Sequence, residues 1–127
     1  DSSFNTPPVF PIYCILLNLR LIKQEGIDSI SKKNKIKSEL IYSEIDRNKC
    51  FSGFSEVSDR SQMNATFNMK EGFDSELFNK ICSKNNISGI NGHRSVGGYR
   101  ASIYNALSLD SLNVLVDSMK EFELSQE

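Results

Sequence analysis

Apolar residues recur along this chain with two periods, and the change between them divides it. Ile12, Ile15, Leu16, Leu19 and Ile22 repeat at helical spacing behind Pro11, which suits a first helical turn, and Gly26 supplies the stop. Leu17 and Leu21 widen the stripe, so this helix is expected to be covered on two sides. A second helix is predicted from about Asp28 to Arg47, with Ile30, Ile36, Leu40, Ile41 and Ile45 inward and Lys32, Lys33, Lys35 and Lys37 on a solvated face. After Cys50 the period falls to two. Met63, Ala65, Phe67 and Met69 alternate with Asn64, Thr66 and Asn68, as in a half-buried strand, and a weaker strand is expected near Phe51 to Phe54.

Helical spacing returns over Ser75 to Lys84, with Phe73, Leu77, Phe78 and Ile81 inward. Ile87 to Ile90 is a short apolar segment, and Arg100 to Tyr104 alternates as a strand. A last helix, capped by Ser108 or Asp110, carries Leu109, Leu112, Leu115, Val116, Met119 and Phe122. The order α-α-β-β-α-β-β-α lacks the strict strand–helix alternation of a doubly wound sheet. It predicts an α/β fold of the α+β type: a small, mostly antiparallel sheet with helices packed on one face.

Composition narrows the function classes. Fifteen basic against sixteen acidic side chains leave a formal charge of -1, without the basic excess usual for a partner of nucleic acid or of a membrane surface. The longest apolar stretch, Ile12 to Leu19, is interrupted by Asn18 and is far short of the ~20 residues that span a bilayer. Cys14, Cys50 and Cys82 are widely spaced, and with a single His they make no zinc spacing; reduced thiols and a cytoplasmic location are expected, with no metal. The opening DSSFNTPPVF has neither an initiator Met nor a leader pattern, and is expected to be a cut inside a longer chain.

One segment concentrates chemistry. Asn91 to Arg100 holds the only His, two Arg and three Gly. The glycines permit positive φ and close approach to a ligand, and Arg94 and Arg100 offer planar forks for carboxylate or phosphate. His93 can donate to a phosphate oxygen or shuttle a proton. The pattern suits a ligand with two anionic groups; it equally suits a surface hairpin with solvated arginines. No catalytic set accompanies it in this chain, so a site here would be completed by something else.

The run from Asn91 through Gly92-His93-Arg94-Ser95-Val96-Gly97-Gly98 and Arg100-Ala101-Ser102-Ile103-Tyr104-Asn105-Ala106 closely resembles a signature of the phosphoserine aminotransferases. Asn5-Thr6-Pro7-Pro8-Val9-Phe10-Pro11-Ile12-Tyr13, Asp59 to Phe67 and Leu115 to Phe122 resemble three further family segments in the same order. Phe4, Ile27 and Asn91 stand where the family often has Tyr, Gly and Lys. The resemblance implies a class V, fold-type I enzyme that uses pyridoxal 5'-phosphate and works as a homodimer. It would exchange an amino group between phosphoserine and 2-oxoglutarate, giving 3-phosphohydroxypyruvate and glutamate in serine biosynthesis. Residues 1–26 would then be the linking segment and helix, and 27–127 the C-terminal small domain. The same resemblance assigns Asn5 and Thr6 to the cofactor phosphate of the other subunit, Arg100 to the substrate carboxylate, and His93 and Arg94 to the substrate phosphate. It places the Schiff-base lysine upstream, so no catalytic residue is assigned here. A stand-alone anion-binding or scaffolding module is the alternative.

Overall fold

Pro11 lies in the first turn of α1 (Val9–Glu25), where its missing N–H removes no helical hydrogen bond, and Gly26 ends the helix at a φ of 87°. The computed structural model describes residues 4–126. They fall into two compact units, one ending at Lys32 and the other beginning at Lys33. In the first unit α1 forms as its spacing predicts, but its burial does not follow: none of its side chains is buried, and Ile12, Ile15, Leu16 and Leu19 are 54%, 58%, 42% and 57% exposed. The expectation of a helix covered on two sides is therefore corrected. Periodicity reports which residues share a helix face; a covering layer is a separate requirement.

The second helix, α2 (Ile27–Arg47), continues to the start of a three-stranded antiparallel sheet. Its strands are β1 (Phe51–Gly53), β2 (Asn64–Met69) and β3 (Tyr99–Ser102), in that spatial order, with Gly53 opposite Phe67, Phe67 opposite Tyr99 and Thr66 opposite Arg100. A single 3-10 turn, Val57–Asp59, leads from β1 toward β2. The period-two pattern now has a cause. Phe51, Ala65, Phe67, Tyr99 and Ala101 face the core, while Thr66, Asn68, Arg100 and Ser102 share the other face.

Helices close the apolar face. Ile41 and Ile45 of α2, Phe78, Ile81 and Cys82 of α3 (Ser75–Lys84), and Leu112, Leu115, Val116, Met119 and Phe122 of α4 (Leu109–Leu124) join one cluster with the strand residues. Its centre is aromatic: Phe51 meets Phe67 edge-on at 5.5 Å and Phe78 at 4.9 Å between ring centroids. Asp74 caps α3 by accepting from the Glu76 and Leu77 amides, and Ser108, not Asp110, caps α4 by accepting from the Ser111 amide. This is the expected α+β architecture, an antiparallel sheet with helices on one face.

Four local expectations are corrected. Ile87 to Ile90 does not extend as a strand, because Asn86 and Gly89 sit at φ 58° and 69°, in the left-handed region. β3 begins at Tyr99 and stops at Ser102, short of Tyr104. Ile36 and Leu109 are exposed. Lys37 is buried, and its Nζ donates to the carbonyls of Ile103, Tyr104 and Leu107 at 3.1, 2.6 and 3.2 Å. The carbonyls after β3, not solvent, satisfy that ammonium, and the inward face of α2 turns to include it. No helix among the described residues is long and apolar enough to cross a membrane.

Candidate functional site: a glycine-built turn against the polar sheet face

The Asn91–Arg100 segment closes on itself beside β2. Gly92 N donates to Gly98 O at 2.8 Å, Arg100 N donates to Ile90 O at 2.7 Å, and Asn91 bridges to Tyr99. Within the turn, Val96 N and Gly97 N both donate to His93 O, at 3.0 and 2.8 Å. Glycine is required where this loop touches its surroundings. Gly98 has φ 66°, and a Cβ there would run into Asn68 Oδ1 and lie 3.0 Å from Phe67 O; a Cβ on Gly92 would run into Gly97 O. The glycines therefore let the backbone lie against β2, in addition to permitting the turn.

The turn places His93 and Arg100 on one cavity of about 200 Å³, whose walls include Phe54, Thr66, Asn68 and Val96. Arg94 is exposed in the same turn but is not one of those walls. Ser95 engages the His93 ring: its Oγ lies 2.7 Å from Nδ1, and its amide donates to the same nitrogen at 3.3 Å. Asn5 and Thr6 belong to the first unit, exposed ahead of α1. Neither of their side chains is engaged by another side chain among the described residues.

The arginines of the second unit divide by partner. Arg47 bonds Glu44 and Glu123 at 2.8 and 2.7 Å, and Arg60 bonds both oxygens of Asp46 at 2.7 Å. Arg94 and Arg100 have no carboxylate partner among the described residues. Two forks are thus spent on the fold and two remain open to an anion. Lys37 is the side chain a search for reactive lysines would select, since burial lowers its pKa from 10.5. Its three carbonyl acceptors commit it to the loop after β3 instead. Burial pushes the Cys82 thiol up to about 11, away from nucleophilic chemistry.

The residue types of the turn were legible in the sequence. Thr66, Asn68 and Phe54 were not singled out, although the alternation along β2 already put Thr66 and Asn68 on the face that Arg100 shares. Ser95 was missed as a partner of His93; nothing in a linear pattern signals a contact made by side-chain rotamer.

The family model described as aminotransferase class-V matches residues 1–115. The phosphoserine aminotransferase of Flavobacterium psychrophilum is 56% identical over 124 residues, covering 97% of this chain and 35% of that protein. The phosphoserine aminotransferase of Bacteroides thetaiotaomicron is 50% identical over 125 residues, covering 96% and 35%. Among solved structures, the phosphoserine aminotransferase from Bacillus circulans subsp. alkalophilus superposes with a TM-score of 0.91 at 38% identity, over 99% of this chain and 36% of that one. A PLP-bound phosphoserine aminotransferase from Trichomonas vaginalis gives 0.84 at 34% identity, over 93% and 34%. The chain spans about 35% of the length of the curated relatives it matches.

Proposed function

The chain belongs to the class-V aminotransferase family, and we propose on that premise that it is the C-terminal part of a cytoplasmic phosphoserine aminotransferase that acts as a homodimer. The full-length enzyme transfers the amino group of phosphoserine to 2-oxoglutarate, yielding 3-phosphohydroxypyruvate and glutamate. Residues 1–26 serve as the linking segment and helix, and 27–127 as the small domain. The observation that carries this reading is the division of arginines: among the described residues Arg94, on a glycine-built turn beside His93, and Arg100, on the strand that follows it, are left without carboxylate partners, while Arg47 and Arg60 are neutralised.

In this mechanism the chain binds and orients. Arg100, on the polar sheet face opposite Thr66, grips the substrate carboxylate with two parallel N–H groups, and so fixes the plane of the amino acid relative to the reacting Cα–H. His93 and Arg94 take the phosphate across the subunit boundary. A phosphorylated amino acid carries two anionic groups at opposite ends, which two separate forks can hold without either being left unpaired.

Pyridoxal 5'-phosphate supplies the electron sink for this chemistry. The donors present fit its phosphate: Asn5 and Thr6 offer an amide NH2 and a hydroxyl, both exposed, held next to the stiff Pro7-Pro8 pair. They would hold the cofactor phosphate of the other subunit. Proton transfer at the substrate is assigned to a lysine outside this chain.

The test is glutamate formation from phosphoserine and 2-oxoglutarate in the presence of pyridoxal phosphate. The full-length enzyme carrying this segment is expected to turn over, and the 127-residue chain alone is not. Steady turnover by the chain alone would refute the placement of the reacting groups outside it. Absence of turnover by the full-length protein, with phosphoserine still bound, would favour an anion-binding module.

A further inference from the structure

Two contacts from one residue bear on the protonation pattern of His93. Ser95 Oγ lies 2.7 Å from His93 Nδ1, and because a hydroxyl can donate or accept, that contact alone leaves the tautomer open. The Ser95 amide donates to the same Nδ1 at 3.3 Å. An amide N–H only donates, so this contact, the longer of the two, favours an Nδ1 that presents its lone pair. The hydroxyl then donates to it as well, and the proton of the neutral ring resides on Nε2.

We infer that Ser95 is a positioning residue that locks His93 in its Nε2–H tautomer, so that the ring presents one outward donor to an anionic phosphoryl oxygen. The phosphoryl assignment rests on the proposed function; the lock does not. Both halves of His93 are held. Its carbonyl accepts from Val96 and Gly97, and its ring accepts from Ser95. The residue lines a cavity together with Arg100. The division of labour is physically sensible: Arg94 and Arg100 supply charge, while a locked imidazole supplies a directed donor. A ring free to exchange tautomers would meet the anion part of the time with a lone pair, which repels it.

His93 is the only histidine, so nitrogen NMR of the imidazole in the 127-residue chain reads this site alone. Long-range nitrogen–proton correlations are recorded at about pH 8.5, above the usual histidine range. The expected result is an unprotonated Nδ1 and a protonated Nε2 without averaging. In Ser95→Ala the amide donor remains and only the hydroxyl is lost, so the two nitrogen shifts should move part of the way toward each other as the second tautomer becomes populated, and Ser95→Thr should restore the wild-type pattern, with amide dispersion reporting that each variant is folded. A protonated Nδ1 in the wild type would overturn the tautomer assignment, and an unchanged pattern in Ser95→Ala would overturn the positioning role given to the Ser95 side chain. In the full-length enzyme, Ser95→Ala is expected to slow the reaction with phosphoserine roughly two- to ten-fold, and the reaction with glutamate less. Equal losses on both donors beside a confirmed lock would refute the phosphate assignment and leave the lock standing, so the two failures are distinguishable.

Discussion

Arg60 is an arginine whose two terminal nitrogens are spent within the fold. It bonds both Asp46 oxygens, and its guanidinium carbon stands 4.6 Å from the centroid of the Tyr42 ring, whose hydroxyl donates in turn to the Ser61 and Asn64 carbonyls. The hydrogen bond from Arg60 holds the Asp46 carboxyl below its ordinary value, against the opposing pull of burial. A carboxylate depressed in the folded state contributes stability that is present above its unfolded pKa, near ~4, and is lost as pH falls through the folded value. Urea unfolding midpoints should therefore drop on acidification from about pH 5 toward pH 3. In Asp46→Asn that drop should be shallower; part of it will persist, because Glu121 and Glu123 are depressed in the same direction. An Asn variant with the wild-type pH profile would contradict the role given to this pair. Residue chemistry of this kind is only partly legible in a sequence. His93, Arg94 and Arg100 could be singled out by type and spacing. The burial of Lys37 could not, since it depends on three carbonyls that lie 66 to 70 residues away.

At the scale of elements, spacing found each of the helices α1 to α4 among the described residues, and the alternation along β2 found its buried face. What periodicity does not carry is the presence of a covering layer. α1 and α4 have comparable apolar stripes, yet α4 buries Leu112, Leu115, Val116, Met119 and Phe122, and α1 buries nothing. The two helices should respond differently to the same truncation. Leu115→Ala, at a position 5% exposed, is expected to cost about 2–5 kcal/mol through lost transfer energy and a residual cavity. Leu16→Ala in the same chain should stay within about 0.5 kcal/mol. Chemical denaturation of the two variants checks this: equal losses would mean that α1 is buried, and an unmoved Leu115→Ala would mean that α4 is not. The Ile87–Ile90 segment fails as a strand for a local reason, one residue with positive φ just before it and one within it. Apolar character alone does not reveal those dihedrals, although Asn86 and Gly89 are residue types that tolerate them.

At the scale of the whole molecule, the fold class could be read from element order, and the family from four motifs in sequence; the grouping of open and spent arginines needed the structure. The second unit has its own core and carries the open forks, while Asn5 and Thr6 lie in the first. The proposed enzyme divides its substrate's anionic groups between Arg100 and the His93–Arg94 pair, and that division has a kinetic signature. Carboxylate is common to phosphoserine and glutamate; phosphate belongs to phosphoserine alone. The measurement is the single-turnover rate of the full-length enzyme with each amino donor, for Arg94→Ala and Arg100→Lys. Losing one partner of a desolvated charge pair costs ~2–5 kcal/mol, or about 30- to several-thousand-fold in rate. Arg94→Ala is expected to lose that much with phosphoserine and distinctly less with glutamate. Arg100→Lys should injure both reactions, because an ammonium cannot reproduce the planar two-bond grip. Equal losses on both donors for Arg94→Ala, or an intact glutamate reaction in Arg100→Lys, would contradict the assignment of the two anions.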